Sequence, residues 1–152
     1  ADPVSFQGGQ FGWTTVFDAL GVQATLPGDV GLVAQWMGGS TVWGRYYEGR
    51  RYVEAGFDSA FLLLTRRMGR HRVSLRHDRF EVSDDDRFPM DDNSERGDAW
   101  TVSYRFDWTD RVAVAAEWLE VFTRRPAWEY LGLDEANTET QLQLALRLRF
   151  GP

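Results

Sequence analysis

The sequence predicts an all-β fold, an antiparallel up-and-down transmembrane β-barrel to which this chain contributes about seven or eight strands. Three observations support this prediction. Long segments alternate polar and apolar residues, the connections between them alternate in length, and aromatic residues stand near segment ends. The hydrophobic content of 43% is ordinary for a globular protein, so the order of the residues carries the prediction.

The clearest segment is the last one, 141–150. Because a strand points successive side chains to opposite faces, one face carries only apolar residues. They are Leu142, Leu144, Leu146, Leu148 and Phe150. An antiparallel sheet in water can alternate in the same way. Recurrence of the pattern on long strands with aromatic ends favours strands that face lipid.

Seven extended segments are predicted, and no amphipathic helix competes with them. They are Gly12–Leu26, Val30–Trp43, Arg51–Thr65, Arg70–Val82, Ala99–Trp108, Arg111–Phe122 and Thr138–Phe150. In the first, Asp18 interrupts an apolar row of Val16, Leu20, Val22 and Ala24. The second has the row Val30, Leu32, Ala34 and Trp36. In the third, the predicted apolar row is Val53, Ala55, Phe57, Phe61 and Leu63.

The later segments repeat this order. The fourth has Val73 and Leu75 on its apolar side, with His71 and His77 at the ends. The fifth and sixth have longer rows, made of Trp100, Val102, Tyr104, Phe106 and Trp108, and of Val112, Val114, Ala116, Trp118 and Phe122. Amphipathic rings favour the level of the lipid headgroups. The predicted membrane-interface aromatics are therefore Trp36, Trp100, Trp108, Trp118 and Phe150.

The connections between the segments alternate between short and long. The short ones cover 27–29, 67–69 and 109–110, and the longer ones cover 44–50, 83–98 and 123–137. Outer-membrane barrels have short periplasmic turns at one end and longer loops at the other. The alternation therefore supports a barrel more strongly than it supports a soluble meander.

Charged residues oppose the apolar rows and are predicted to line an interior. The lumen-lining candidates are Glu54, Asp58, Arg72, Arg76, Arg105, Asp107, Glu117, Arg147 and Arg149. Fixed charges of both signs in a narrow pore would filter solutes by size and charge. The alternative is that these side chains pair with one another and stiffen or plug the barrel. The sequence favours neither use over the other.

Several function classes are disfavoured. The net charge of −6 opposes nucleic-acid binding, which needs a basic surface. No nucleophile stands beside an activating base, so no catalytic residue and no enzyme activity are predicted. No cofactor is predicted, because no glycine-rich phosphate loop precedes a helix.

A metal site is not predicted either. Acidic residues crowd 84–86 and 91–95, but they lack the spacing and the glycine of a calcium-binding helix–loop–helix motif. A solvated external loop is the prediction for this stretch. His71 and His77 share a strand face but are separated by roughly 20 Å, too far to bind one metal ion together.

Several stretches resemble the C-terminal part of porin-like outer-membrane β-barrel proteins of Gram-negative bacteria. They are HRVSLRHDRF at 71–80, DDNSERGDAWTV at 91–102, AEWL at 116–119 and QLQLALRLRF at 141–150, and QWMGGSTVWG at 35–44 is similar to an earlier strand. The most specific part is the terminal strand, which ends in Phe150. In that family the phenylalanine is the last residue, whereas here Gly151 and Pro152 follow as a tail.

The resemblance covers roughly 12–150 and implies passive diffusion of small polar or charged solutes, ions included. It implies the bacterial outer membrane as the location, with membrane lipid and lipopolysaccharide as partners, and homo-oligomers are common in such proteins. Because single-chain bacterial barrels have an even number of strands, seven strands leave two interpretations. Either 1–11 supplies another strand, or it is an external loop and 12–150 is the C-terminal part of a larger barrel.

Two other functions remain open. A soluble antiparallel β-sandwich or barrel would bind a ligand such as a carbohydrate through exposed Trp and Tyr side chains. In a sandwich the leucine row of 142–148 would be buried against a second sheet. An outer-membrane enzyme with its site in the long loops is the least favoured, since no catalytic pair is visible.

Overall fold

A computed structural model describes residues 13–47, 50–86 and 92–150 of the chain. The predicted start at Gly12, the segment 1–11, Asp91 and the tail 151–152 lie outside these residues. The described part forms seven strands: β1 (Trp13–Leu26), β2 (Val30–Tyr47), β3 (Arg50–Met68), β4 (His71–Asp84), β5 (Glu95–Asp107), β6 (Val112–Arg124) and β7 (Ala136–Leu148). One short helix, α1 (Ala127–Tyr130), lies between β6 and β7.

The seven strands form one antiparallel sheet in the order β1-β2-β3-β4-β5-β6-β7. The predicted all-β, up-and-down architecture is therefore confirmed. The sheet is open within the described residues, because β1 pairs only with β2 and β7 only with β6. Since neighbours alternate in direction, β1 and β7 run the same way. Among the described residues, no helix is both long and apolar enough to span a membrane.

The short connections are tight turns. Gly28 and Asp29 both adopt positive φ, at 79° and 58°, as the central residues of a tight β-hairpin turn do. Gly69 also has positive φ, 61°, between β3 and β4. Between β5 and β6 the Thr109 hydroxyl accepts hydrogen bonds from the backbone N–H groups of Arg111 and Val112. All three turns lie at one end of the sheet, the short-turn end.

The long connections lie at the opposite end, the loop end. The prediction was wrong for 44–50, where β2 continues to Tyr47 and β3 begins at Arg50. The register shifts between Trp43 and Tyr46, beside Gly44 with its φ of 87°, so the ladder continues past an irregularity. The two other long connections are present, between β4 and β5 and between β6 and β7.

The sheet has two faces of different character. We define the apolar face by the residues that point to it. These are the even-numbered paired residues of β1, β2, β3, β5, β6 and β7 and the odd-numbered paired residues of β4. The polar face carries the others. The sequence assigned every strand to these faces correctly except β3. There the apolar face carries Ala60, Leu62 and Leu64, whereas the predicted row containing Phe57, Phe61 and Leu63 lies on the polar face.

The polar face is the more sheltered one. The buried apolar side chains of the described residues are Ala55, Ala99 and Ala113, and all three lie on it. Open clefts on the same face run along β4, β5 and β6. Side chains that crowd on one face and spread on the other indicate a curved sheet with the polar face on its inner side. The apolar face is exposed, to 80% at Leu144 and 74% at Leu20.

Candidate functional site

The polar face brings together seven of the nine predicted lumen-lining residues. They are Arg72, Arg76, Arg105, Asp107, Glu117, Arg147 and Arg149, on β4 to β7 and just beyond β7. Glu54 and Asp58 do not join them. Glu54 pairs with Val42 and Asp58 with Gly38, so both lie on the apolar face, at the loop end of β3. The prediction that all nine share one interior is wrong for these two residues.

Asp58 has a specific partner on the apolar face. The indole Nε1–H of Trp36 donates a hydrogen bond to Asp58 Oδ2 at 2.5 Å. The ring lies over Gly38, where a Cβ would stand 2.7 Å from Trp36 Cζ2. The glycine therefore leaves room for a ring that both covers the backbone and supplies a donor to the carboxylate.

Two ion pairs on the polar face run along single strands. Arg76 pairs with Asp78 at 2.5 Å and Arg105 with Asp107 at 2.7 Å. The guanidinium of Arg76 also lies 4.1 Å from the centre of the Phe61 ring, which explains how β3 keeps an aromatic among charges. Within the described residues, some of the predicted lumen-lining charges therefore form ion pairs on their own strand and others do not.

Arginines concentrate on the polar face at the short-turn end. Arg67 pairs across strands with Arg72, and Arg72 pairs with Arg105. The next residue of β5 on the polar face is Asp107, which pairs with Ala113 of β6. Ala113 in turn pairs with Arg147 of β7. A cleft of about 490 Å³ opens here, and its charged lining is Arg67, Arg70, Arg72, Arg105, Asp107, Asp110, Arg111, Arg147 and Arg149.

Sequence reasoning missed Arg67, Arg70 and Arg111 as members of this cluster. Their signal was position, because each lies in or beside a tight turn. The prediction considered only residues alternating within strands. Since the turns at this end fold beside one another, residues flanking different turns meet in one cleft.

A continuous apolar belt crosses the other face. On its short-turn edge stand Phe150, Trp108, Met68 and Leu26, contributed by the ends of β7, β5, β3 and β1. The cross-strand partners of each residue can be traced to β6, which gives its level in β6 numbering. These levels are 110 for Phe150, 112 for Trp108, 114 for Met68 and 116 for Leu26. The edge therefore moves by one residue for each strand crossed.

The loop edge of the belt slopes in the same direction. It passes through Trp118 on β6, Trp100 on β5 and Trp36 on β2, which are level with positions 118, 120 and 122 of β6. From β6 to β2 this edge moves by four residues over four strands, an average of one residue per strand. That offset corresponds to strands tilted by about 35°, given a rise of about 3.3 Å and a strand spacing of about 4.8 Å. Transmembrane barrels tilt their strands by about 35–45°.

The height of the belt follows from the same geometry. Trp100 and Trp108 mark its two edges along β5. Eight residues of tilted strand between them cover about 22 Å along the normal to the belt. The apolar band of outer-membrane barrels is about 25 Å tall.

Charged residues begin where the belt ends. Just beyond the loop edge lie Asp18 on β1, Asp58 on β3, Arg79 on β4, Asp98 on β5 and Glu120 on β6. Asp18, which interrupts the apolar row of the sequence, therefore marks the edge of the belt. Within the belt, among the described residues, Arg66 near the short-turn edge is the one side chain with a permanent charge.

The histidines of β4 stand at both edges of the belt. His77 packs against Trp100 with ring centres 4.4 Å apart, and its Nε2 lies 3.3 Å from Asp98 Oδ1. Nδ1 of His71 forms a 2.6 Å hydrogen bond with the Tyr104 hydroxyl. Each histidine thus has an aromatic partner and a polar partner where apolar surface gives way to polar surface.

The acidic stretch after β4 uses its carboxylates for the loop itself. Asp84 accepts hydrogen bonds from the backbone N–H groups of Asp86 and Asn93 and from the Asn93 side chain. Asp92 accepts one from the Ser94 N–H. Among residues 13–47, 50–86 and 92–150, no group of three or more histidine or acidic side chains is arranged to hold a metal ion.

No family model, no curated protein and no solved structure matches the chain.

Proposed function

We propose that this chain forms part of a porin-like β-barrel of the bacterial outer membrane. The apolar belt contacts the hydrocarbon of the bilayer, with lipid and lipopolysaccharide as partners. The polar face borders a water-filled lumen through which small polar or charged solutes diffuse passively. The observation that carries this proposal is the belt, with two parallel sloping edges, aromatic residues on both and charges just beyond one of them.

The exposure of the belt is the reason to prefer lipid over a second protein layer. Burying apolar area is worth about 25 cal/mol per Å², so large exposed apolar patches mark sites that bind protein, ligand or membrane. A tilted band of constant height, with aromatic residues at both edges, matches a bilayer.

Adjacent substitutions on β7 test the proposal. Leu144→Arg puts a charge into the belt, whereas Gln143→Arg puts the same charge on the polar face. An arginine facing lipid costs about 2–4 kcal/mol at the mid-depth of a transmembrane barrel and less toward the edges, and Leu144 lies between the middle of the belt and its loop edge. We expect Leu144→Arg to lower the yield of folding into phosphatidylcholine vesicles strongly, and Gln143→Arg to fold like the unsubstituted chain, as read from heat-modifiable gel mobility.

Equal folding of the two variants would contradict the face assignment. A monodisperse monomer without detergent would contradict the membrane proposal and favour the soluble ligand-binding sandwich. Conduction is measured separately, by swelling of proteoliposomes in solutions of small sugars and salts.

A further inference from the structure

The cleft at the short-turn end has a large excess of positive charge. Seven arginines line it, namely Arg67, Arg70, Arg72, Arg105, Arg111, Arg147 and Arg149. Its acidic side chains are Asp107 and Asp110. Guanidinium groups stay charged at any physiological pH, so pH does not relieve this excess.

Like charges face each other across neighbouring strands in this cleft. Like charges directly opposite each other on neighbouring strands are destabilising, and Arg67, Arg72 and Arg105 form two such pairs in succession. Asp107 forms its ion pair with Arg105, through contacts to its Nε and Nη2 at 2.7 Å, and acts on Arg67 and Arg72 only at longer range. Within the described residues, no acidic side chain forms an ion pair with Arg72, Arg147 or Arg149.

Backbone carbonyl groups accept hydrogen bonds from the arginines at the rim of the cleft, and small side chains leave space between the other arginines. Arg67 Nε donates to the Gly69 carbonyl oxygen at 3.1 Å, and Arg70 Nη1 donates to that of Trp108 at 3.0 Å. Small side chains separate the charges on the next strands, where Arg105 faces Ala115 and Arg147 faces Ala113. The cleft therefore has fixed cationic edges and an open centre.

The charges at the loop end are arranged differently. There Arg124 pairs with Glu135 at 2.6 Å and Arg125 with Glu95 at 2.8 Å. These arginines have carboxylate partners within the chain. Arg72, Arg147 and Arg149 in the short-turn cleft have no such partner within the described residues.

We propose that this cleft binds multivalent oxyanions of the phosphate class and makes passage through the lumen selective for them. This proposal names the solute class of the lumen proposed above and rests on it. Planar guanidinium groups donate paired hydrogen bonds to phosphate oxygens, and several together match an ion with three or four oxygens and more than one charge. Chloride offers neither the oxygens nor the second charge.

Inorganic pyrophosphate is the probe, and calorimetric titration of the full chain refolded in a zwitterionic detergent is the measurement. The test variant is Arg72→Gln with Arg147→Gln. The control is Arg66→Gln with Arg79→Gln, which removes two arginines from the apolar face. We expect the test variant to weaken pyrophosphate binding at least tenfold and the control to leave it within twofold. Equal loss in both variants, or no saturable binding to the unsubstituted chain, would overturn the site.

Two further arms separate this inference from the proposed function. Saturable pyrophosphate binding without conductance in planar bilayers would keep the site and refute the pore. Conductance with no block by pyrophosphate and no preference for anions would keep the pore and refute the inference. Doping the micelles with phosphatidylglycerol tests whether lipid headgroups are the ligand instead. We expect pyrophosphate affinity to be unchanged, and competition by the lipid would overturn the assignment to a free solute.

Discussion

Several glycines of this sheet stand where a neighbouring group occupies the place of a Cβ atom. At Gly97 a Cβ would clash with the Phe122 carbonyl oxygen and would stand 2.6 Å from Phe80 Cζ. Phe80 is the cross-strand partner of Gly97. The ring thus covers the glycine backbone, as aromatic residues do beside glycines in curved sheets.

Gly97→Ala is therefore expected to destabilise the protein by about 1–3 kcal/mol, the usual cost of overpacking. The matched control is Gly21→Ala on β1, whose Cβ would meet its nearest atom, the Ala34 carbonyl oxygen, at an ordinary 3.6 Å. Urea unfolding of the detergent-refolded variants measures the difference. A midpoint for Gly97→Ala equal to that of Gly21→Ala would show that the strands move apart freely at Gly97.

The bond between Trp36 and Asp58 gives a second residue-level prediction. Trp36→Phe keeps a ring over Gly38 but removes the donor to the carboxylate. Because the bond is exposed and water can replace the donor, the expected cost is about 0.5–1.5 kcal/mol, the net value of a typical hydrogen bond. Trp118→Phe, also on the apolar face, is the control for the loss of ring area. We expect the Trp36 variant to be the less stable, and the difference to vanish in an Asp58→Asn background. A difference that persists there would assign it to packing.

At the scale of residues, the sequence predicted most of the candidate lumen because alternation is unambiguous where one face is apolar. It failed at Glu54 and Asp58, since the segment 61–64 is apolar on both faces and fixes no orientation for β3. Only the register with Gly38 and Val42 decides which way these carboxylates point. The turn arginines were missed for a similar reason, because their proximity comes from the folding of the turns and not from alternation.

At the scale of elements, all seven strands were predictable, with ends that differ by a few residues. The alternation of short and long connections was right except at 44–50, where the ladder continues on both sides of 48–49. Gly44 stands at the start of the predicted connection 44–50. In the sheet it stands at the register shift, where its positive φ accommodates the irregularity.

The connection between β4 and β5 has a pH-dependent element. Hydrogen bonds from the Ser94 hydroxyl and then from the Ser94 backbone lower the pKa of Asp92 below its ordinary value of 3.8. A lowered pKa means that the ionised form holds the loop. This stabilisation is complete above the ordinary pKa and is lost as pH falls through the lowered one.

We therefore expect the Ser94 amide resonance to titrate with a midpoint below 3.8. Asp92→Asn should remove this titration without changing the resonances of β1, which lies four strands from β5 in the sheet. A midpoint above 3.8 in the unsubstituted chain would mean that Ser94 does not stabilise the carboxylate.

At the scale of the whole molecule, the direction of the strands limits how the sheet can close. β1 and β7 run the same way, so pairing them directly would make a parallel contact in an otherwise antiparallel sheet. Antiparallel closure requires an odd number of further strands between them. The candidate lumen is therefore bordered here along β1 to β7, and the strands that complete such a closure would add their own side chains to it.

The slope of the belt predicts that residues in one hydrogen-bonded row lie at different depths in the membrane. Ala24 on β1 and Leu142 on β7 lie in the same hydrogen-bonded row. Strands tilted by about 35° nevertheless put Ala24 near the short-turn edge and Leu142 near the loop edge, about 16 Å apart in depth. If the rows lay parallel to the membrane, the two positions would be equally deep.

The chain contains no cysteine, so single substitutions give clean labelling sites. Nitroxides attached to Ala24→Cys and Leu142→Cys in vesicles should report different depths in the bilayer, as measured by their accessibility to apolar and aqueous relaxing agents. Met68→Cys and Trp108→Cys, both on the short-turn edge of the belt, serve as the matched pair and should report equal depth. Equal depths for Ala24 and Leu142 would refute the tilt, and nitroxides at both positions accessible only to aqueous relaxing agents would refute contact with lipid.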